Sequence, residues 1–272
     1  MTQPAESAEL KSCCAALYQS DFARMLLGDS FHPGGQRLTA RLGEQLGLRP
    51  GVRILDVASG KGESAVFLAT RFGCEVAGVD YGPQNVVEST SRAAMAQVSD
   101  LVSFTEGDAE SLQFPDAQFD VVICECAFCT FAEKRQAASE FARVLRPRGG
   151  IGLSDLTRSG QLPKDLDGLL AWIACIADAR PVEEYTRYLE EAGFKITSVE
   201  PHNNALAEMA RDVQTRLLGT ELMTKLGKIN LPGVDFEQAK QLARAASQAI
   251  QQGLLGYSLL LARLLAPGDG CS

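Results

Sequence analysis

Three cysteines follow a predicted buried strand within six positions of one another. The stretch VVICECAFCTF, residues 121–131, contains Cys124, Cys126 and Cys129. Thiolates are soft ligands that suit a thiophilic element better than an oxygen or carbon acceptor. A structural zinc site is disfavoured because C-x-C-x-x-C lacks the paired knuckles of such sites. Free cysteine is also an ordinary small core residue, so the spacing leaves open whether these thiols grip a substrate or fill the core.

Proton transfer has its own candidates. His32 lies in the turn SFHPGG, where an imidazole can orient a substrate or act as a base, and Glu125 or Tyr18 can orient an acceptor oxygen. A turn histidine also has the simpler interpretation of a surface residue. The chain has two histidines, His32 and His202, so a histidine-based metal site is not expected.

A glycine turn followed by an acidic strand end indicates a nucleoside-containing cofactor. The strand ILDVA, residues 54–58, runs into SGKGES, where Gly60 and Gly62 let the backbone approach a ligand at a helix N-terminus. Asp80 ends the next strand, and its carboxylate can accept hydrogen bonds from both ribose hydroxyls. This geometry serves NAD and S-adenosylmethionine alike.

The third predicted strand adds an adenine-binding candidate. The stretch FTEGDAESLQFPDAQFD, residues 104–120, places Asp108, Ala109 and Glu110 at a strand end, where an acidic side chain can meet an adenine amino group. A solvated loop is the alternative interpretation. Tyr81, directly after Asp80, can edge the same pocket or simply pack.

These residues need a scaffold that brings strand ends together. Apolar runs alternate with helix-length segments from residue 52 onward, which predicts an α/β fold with a doubly wound, mostly parallel sheet of seven strands. The runs are nearly continuous in apolar residues, as expected when helices cover both sheet faces. The predicted strands are 52–58, 75–80, 101–107, 119–125, 149–156, 194–200 and 253–265, the last favoured as a strand over a helix.

The flanking segments are predicted to be helical. N-terminal helices at 5–27 and 35–48 could lid the ligand edge, and further helices are predicted at 162–177, 182–192, 204–226 and 235–252. The predicted domains are a helical cap at 1–48, a cofactor-binding core at 49–200, and a helical insertion with the last strand at 201–272. The 201–252 region could cap the substrate side or form a homodimer contact.

Composition excludes several classes of protein. The 34 acidic residues exceed the 26 Lys and Arg residues, giving a net charge of −8, and no dense basic block is present, so nucleic acid is not an expected partner. We found no secretory leader pattern and no apolar run of about 18 residues, so no membrane association is expected. We therefore expect a cytoplasmic protein with reduced cysteines.

Five ordered motifs resemble those of class I S-adenosylmethionine-dependent methyltransferases. They are LDVASGKG, GVD, GDAESLQFPDAQFDVV, EFARVLRPRGG and YLEEAGF, and they span about residues 50–200. The resemblance implies S-adenosylmethionine as cofactor and a Rossmann-like core. One departure is Ala58, where the family's first loop glycine usually stands. The implied cofactor-binding residues are Asp56, Ala58, Ser59, Gly60, Gly62, Asp80, Tyr81, Asp108, Ala109, Glu110 and Cys124, although Cys124 is also expected to pack inward.

A narrower resemblance is to arsenite methyltransferases. These carry one cysteine after the fourth strand and another after the fifth, positions that Cys126 and Cys175 match here. The resemblance implies that both bind trivalent arsenic as substrate, with Cys129, Cys13 or Cys14 as further candidate thiolates. The family's usual N-terminal cysteine-and-glycine stretch is absent, which puts the third ligand in doubt.

Three functional hypotheses follow. The first is methyl transfer to a thiolate-bound trivalent arsenical or similar thiophilic substrate. The second is methyl transfer to oxygen or carbon of a small organic metabolite of quinone or polyketide type, with incidental cysteines and with His32, Glu125 or Tyr18 assisting. The third is a binding module without turnover, which the intact LDVASGKG and GVD motifs disfavour.

Overall fold

Seven strands form one sheet in the computed structural model, which describes residues 21–28, 32–163, 166, 176, 178–266 and 268. The spatial order is β3-β2-β1-β4-β5-β7-β6. Strands β1 to β5 run parallel to one another, and β7 runs antiparallel to both β5 and β6. The predicted fold class is confirmed. The strands are β1 Arg53–Val57, β2 Glu75–Asp80, β3 Val102–Glu106, β4 Phe119–Glu125, β5 Leu145–Arg158, β6 Phe194–Pro201 and β7 Leu255–Leu264.

Helices connect the strands and cover both faces of the sheet. A short 3-10 turn, Phe128–Thr130, follows β4. Among the described residues the α-helices are α1 Asp21–Leu27, α2 Gly35–Gln45, α3 Glu63–Phe72, α4 Pro83–Met95, α5 Lys134–Val144, α6 Val182–Glu191, α7 Asn203–Lys225 and α8 Phe236–Gln251.

The ambiguous apolar segment at 253–265 is a strand, as predicted. Strand β7 pairs with β5 from Gly150 opposite Arg263 to Arg158 opposite Leu255, and with β6 on its other side. Because both of its faces and both of its edges are covered, it is apolar at nearly every position. Most of the predicted helices 5–27 and 162–177 lies outside the described residues.

Strand β4 divides its side chains between the two halves of the core. Val122 and Cys124 pack on the side that carries α5 and α6, whereas Val121 and Ile123 pack on the side that carries α3. Successive side chains of a strand point to opposite faces. Glu125, the last residue of β4, consequently faces away from Cys124.

Helices α7 and α8 lie between β6 and β7 in the chain and pack against α1. Arg216 Nη1 donates to the main-chain oxygen of Leu26 at 3.2 Å, and the rings of Phe22 and Phe236 meet edge to face with centroids 6.1 Å apart. Among the described residues, no helix combines the length and apolar character that a membrane crossing requires. The division at residues 48 and 200 stays a prediction.

Candidate active site

One carboxylate ties the loop after β1 to the end of β2. Asp80 Oδ2 accepts from the main-chain nitrogen of Gly60 at 2.7 Å, and Oδ1 accepts from Gly82 N at 2.8 Å and Asn85 Nδ2 at 2.9 Å. Burial raises the Asp80 pKa, and these hydrogen bonds oppose that rise. An ionised carboxylate offers about four acceptor positions, so the predicted bond to a ribose hydroxyl remains possible.

Backbone conformation explains the glycine positions of this loop. Gly62 has φ 74°, and a Cβ there would lie 2.6 Å from Phe104 Cζ and 2.7 Å from Ser89 Cβ. Ala58 adopts φ 57°, in the left-handed region that favours glycine. The alanine therefore holds a strained conformation where the resembling family usually has glycine.

Asp56 presents a buried acceptor at the end of β1. It is 3% exposed, and burial, followed by the charges of Glu125 and Asp80, raises its pKa well above the ordinary value. Its Oδ2 has no hydrogen-bond partner among the described residues. Such an oxygen suits a cationic donor, and S-adenosylmethionine carries an ammonium group. Asp56 and Asp80 thus fit the cofactor that the motifs imply.

The predicted adenine-binding residues make contacts within the protein. Asp108 Oδ1 accepts from Glu110 N at 2.9 Å and closes a turn. Glu110 Oε1 accepts from the main-chain nitrogen of Glu133 at 3.0 Å, directly before α5. Glu110 therefore has a structural contact that the sequence did not indicate. Ala109 is half-buried and Tyr81 is exposed; their cofactor roles, like that of Ser59, stay predictions.

The structure separates the three clustered thiols. Cys124 and Cys129 are fully buried, and burial raises the pKa of the Cys124 thiol well above its ordinary value. Neither thiol is exposed to solvent, and the predicted roles of both residues in the site stay predictions. Cys126 is half-buried, has φ 55°, and donates its main-chain N–H to Ser154 O at 2.6 Å.

The remaining thiol predictions lie largely outside the described residues. Cys13, Cys14 and Cys175 fall there, as does Tyr18. The proximity of Cys126 to Cys175 therefore stays a prediction. Within the part of the chain that the structure describes, no group of three or more Cys, His, Asp or Glu residues is arranged to hold a metal ion.

His32 and Glu125 meet at the end of β4. His32 Nε2 lies 3.7 Å from Glu125 Oε2, and the two side chains are 8% and 4% exposed. Thr39 Oγ1, on α2, donates to Glu125 Oε2 at 3.1 Å and lies 3.4 Å from His32 Nε2. Two residues that the sequence suggested separately therefore form one polar unit. The unit lies close to the loop of Gly60 to Gly62, which we call the cofactor loop after its predicted role.

Three further hydroxyls complete the surroundings of Glu125. Ser64 Oγ, from α3, donates to Glu125 Oε2 at 2.5 Å, and Ser154 Oγ, from β5, donates to Oε1 at 3.4 Å. Tyr257 OH, from β7, donates to Ser154 Oγ at 2.9 Å. We call Thr39, Ser64, Ser154 and Tyr257 the hydroxyl cluster. Sequence reasoning missed all four; only Ser64, inside SGKGES, carried a local signal.

Comparison with known proteins identifies several relatives. Residues 55–152 match the family model described as a methyltransferase domain. The 27-O-demethylrifamycin SV methyltransferase of Amycolatopsis mediterranei is 29% identical over 90% of this chain and 93% of its own length. The arsenite methyltransferase of Halobacterium salinarum is 28% identical over 69% of this chain and 49% of its own. Haemonchus contortus phosphoethanolamine N-methyltransferase 2, solved with S-adenosyl-L-methionine, shares the fold with a TM-score of 0.74, at 20% identity over 89% of this chain and 56% of that one.

Proposed function

Because the chain is a class I S-adenosylmethionine-dependent methyltransferase, we propose that it methylates a hydroxyl oxygen of a small organic metabolite. In this proposal, Asp56, the Gly60–Gly62 loop and Asp80 hold the cofactor. His32 and Glu125 act on the acceptor hydroxyl.

The buried His32–Glu125 pair is the observation that carries the proposal. Histidine is the most frequent general base in enzymes, and a neighbouring carboxylate offsets the positive charge that the imidazole gains when it accepts a proton. The 3.7 Å separation of Nε2 and Oε2 allows this pairing. A hydroxyl acceptor needs such a base, whereas a thiolate-bound metalloid does not.

The chemistry requires little more than positioning and one proton acceptor. S-adenosylmethionine supplies an electrophilic methyl group bonded to a sulfonium sulfur. The protein positions the acceptor oxygen in line with that methyl group, about 3 Å away. As the new carbon–oxygen bond forms and the bond between the methyl carbon and the sulfonium sulfur breaks, the hydroxyl proton would pass to His32, and Glu125 would stabilise the resulting imidazolium. His32 then releases the proton to solvent, and the products are a methyl ether and S-adenosylhomocysteine.

A trivalent arsenical bound by Cys126 and Cys175 is the competing acceptor. The half-buried Cys126, next to Glu125, and the arsenite methyltransferase relative from Halobacterium salinarum support it. Two observations favour oxygen instead. Of Cys124, Cys126 and Cys129, only Cys126 is not fully buried, and the relative that matches nearly the whole chain is named for an O-demethyl substrate.

Transfer from methyl-labelled cofactor to a panel of acceptors tests the proposal. The panel contains a hydroxynaphthoquinone, a hydroxylated macrolide, and arsenite with glutathione. We expect transfer to a hydroxylated acceptor, retained in Cys126→Ser. Transfer to arsenite alone, abolished by Cys126→Ser and retained in the buried-thiol control Cys74→Ser, would overturn it.

A further inference from the structure

Neutral hydroxyls surround the Glu125 carboxylate. Its hydrogen-bond donors among the described residues are Thr39, Ser64 and Ser154, which come from three different elements. A carboxylate that accepts several hydrogen bonds has its negative charge dispersed over the donors. Its attraction for a nearby imidazolium is then weaker than that of a bare carboxylate.

We propose that the hydroxyl cluster tunes His32 as a base by withdrawing charge from Glu125. This inference rests on the proposed role of His32. Thr39 and Tyr257 are positioning residues in it, since they act on the acceptor only through His32 and Glu125.

Thr39 contacts both members of the pair. Its Oγ1 lies closer to the Glu125 oxygens, at 3.1 and 3.2 Å, than to Gly35 O, at 3.4 Å, which favours Glu125 as the acceptor of its single proton. A threonine oxygen whose proton points to Glu125 presents a lone pair to His32 Nε2 at 3.4 Å. This contact suits the tautomer with the proton on Nε2, in which Nδ1 accepts a proton, whereas the contact of Nδ1 with Pro33 O suits the other tautomer. Nδ1 lies 3.4 Å from Pro33 O, which can accept a hydrogen bond from the protonated ring.

Tyr257 acts from the opposite side through Ser154. The tyrosine is fully buried, and its hydroxyl donates to Ser154, which donates to Glu125. Hydrogen bonds in such a chain polarise one another. Loss of the tyrosine hydroxyl should therefore shift the titration of His32 in the same direction as loss of the Thr39 hydroxyl, by a smaller amount.

Several acidic groups of the described residues are electrostatically coupled to Glu125 or to one another. Their ionised forms would favour an imidazolium, and charge withdrawal from Glu125 opposes that effect. These groups are Asp56 on β1, Cys124 on β4 and Tyr257 on β7, with Asp80 on β2 coupled to Asp56, and with Cys126 and Asp155 coupled to Tyr257.

Imidazole titration by NMR tests the inference without any substrate. The chain has two histidines, so His202 serves as an internal reference. In Thr39→Val we expect His32 to become protonated at a pH about half a unit higher, because Glu125 loses a donor. In Thr39→Ser, which keeps the hydroxyl, His32 should titrate as in the wild type.

The tyrosine variants form a second matched pair. Tyr257→Phe should shift the titration of His32 in the same direction as Thr39→Val, by a smaller amount. Tyr185 is also buried, but its hydroxyl donates to Leu156 O, so Tyr185→Phe should leave the titration of His32 unchanged.

Kinetics with a hydroxynaphthoquinone acceptor provide the second readout. A rise of half a pH unit lowers the unprotonated fraction of the base by at most about threefold, so we expect kcat in Thr39→Val to fall by up to about threefold at pH values below the His32 transition, with recovery at alkaline pH and KM unchanged. An unshifted His32 in both Thr39→Val and Tyr257→Phe, or an equal shift in Thr39→Ser, would overturn the inference.

The two proposals fail in different ways. Suppose that the titration of His32 shifts in Thr39→Val but the protein methylates no hydroxylated acceptor. The proposed function is then wrong, and the effect of the hydroxyl cluster on His32 is still supported. Methylation of a hydroxyl with an unshifted His32 overturns the tuning role alone. If Thr39→Val does not fold, the titration of His32 in Tyr257→Phe, compared with that in Tyr185→Phe, tests the tuning role.

Discussion

Two groups of carboxylates in this molecule have pKa values shifted in opposite directions. One group lies at the ligand edge of the sheet, where β1, β2 and β4 have their carboxyl ends, and the other lies on the outside of the molecule. Burial raises the pKa values of Asp56 and Asp80 at the ligand edge. On the outside, a hydrogen bond from Arg41 lowers the Glu200 pKa to about 2, and one from Arg143 lowers that of Glu140. The outer carboxylates stabilise the fold, whereas the buried ones oppose it. Groups kept against stability are typical of a functional site.

The largest expected effect at the ligand edge is loss of cofactor affinity in Asp80→Ala. This change removes the acceptor that links Gly60, Gly82 and Asn85, and a hydrogen-bonded charged group is worth about 1.5–3 kcal/mol. We expect S-adenosylmethionine to bind about 10- to 100-fold more weakly by calorimetry. Asp120→Ala, at the opposite end of the sheet, should leave affinity unchanged; equal affinities in both variants would remove Asp80 from the cofactor site.

Gly62→Ala should destabilise the fold by about 2–3 kcal/mol. The new Cβ would meet Phe104 and Ser89 in addition to the unfavourable positive φ. Gly47 is a matched control, since it has φ 67° and nothing within 4 Å of a new Cβ. Chemical denaturation should show a loss of about 1 kcal/mol for Gly47→Ala. Equal losses at the two positions would contradict the tight packing of the cofactor loop.

Asp56→Asn should raise the free energy of unfolding of the cofactor-free protein by about 1 kcal/mol at pH 7 while weakening cofactor binding. The folded-state pKa of Asp56 lies above its unfolded value, so folding opposes ionisation, and the penalty grows as pH rises above about 4. Below about pH 4 the variant should gain nothing. Denaturation curves at pH 7 and at pH 3.5 measure this difference. A lower free energy of unfolding in Asp56→Asn than in the wild type at pH 7 would show that the buried carboxylate does not destabilise the fold.

Replacement of the outer carboxylate Glu200 should lower the free energy of unfolding, the opposite of the change expected for Asp56→Asn. This should also be the smallest of these effects. The Glu200 pKa of about 2 lies below the unfolded value, so its stabilisation is present above about pH 4.5 and is lost as pH falls through about 2. Solvent screening keeps the loss in Glu200→Gln below about 1 kcal/mol at pH 7, and added salt should reduce it. A loss above 2 kcal/mol would mean that this outer ion pair is not screened.

The strands and cofactor loop were predictable because their signals are local. The apolar runs, the glycine turn and the Asp80 strand end lie within short windows, and the structure places all of them as expected. Strand alternation also held the information that Cys124 and Glu125 face opposite sides of β4. The number of thiols in this stretch does not carry that information.

The surroundings of Glu125 were not predictable from short windows. Thr39, Ser154 and Tyr257 come from α2, β5 and β7, and only the sheet order brings them to the end of β4. Serine, threonine and tyrosine are too common for their positions to carry a signal by themselves. The sequence therefore suggested His32 and Glu125 as candidates but did not indicate the hydroxyls that surround them.

The most direct test of the account is the rate of methyl transfer to a hydroxylated acceptor by His32→Gln at saturating cofactor, with His202→Gln as control. Removing a general base typically lowers the rate by about 10²- to 10⁴-fold. We expect a fall of at least about 100-fold in kcat for His32→Gln, with unchanged cofactor affinity, and no fall for His202→Gln. An unchanged kcat in His32→Gln would contradict the assignment of the buried His32–Glu125 pair as the base.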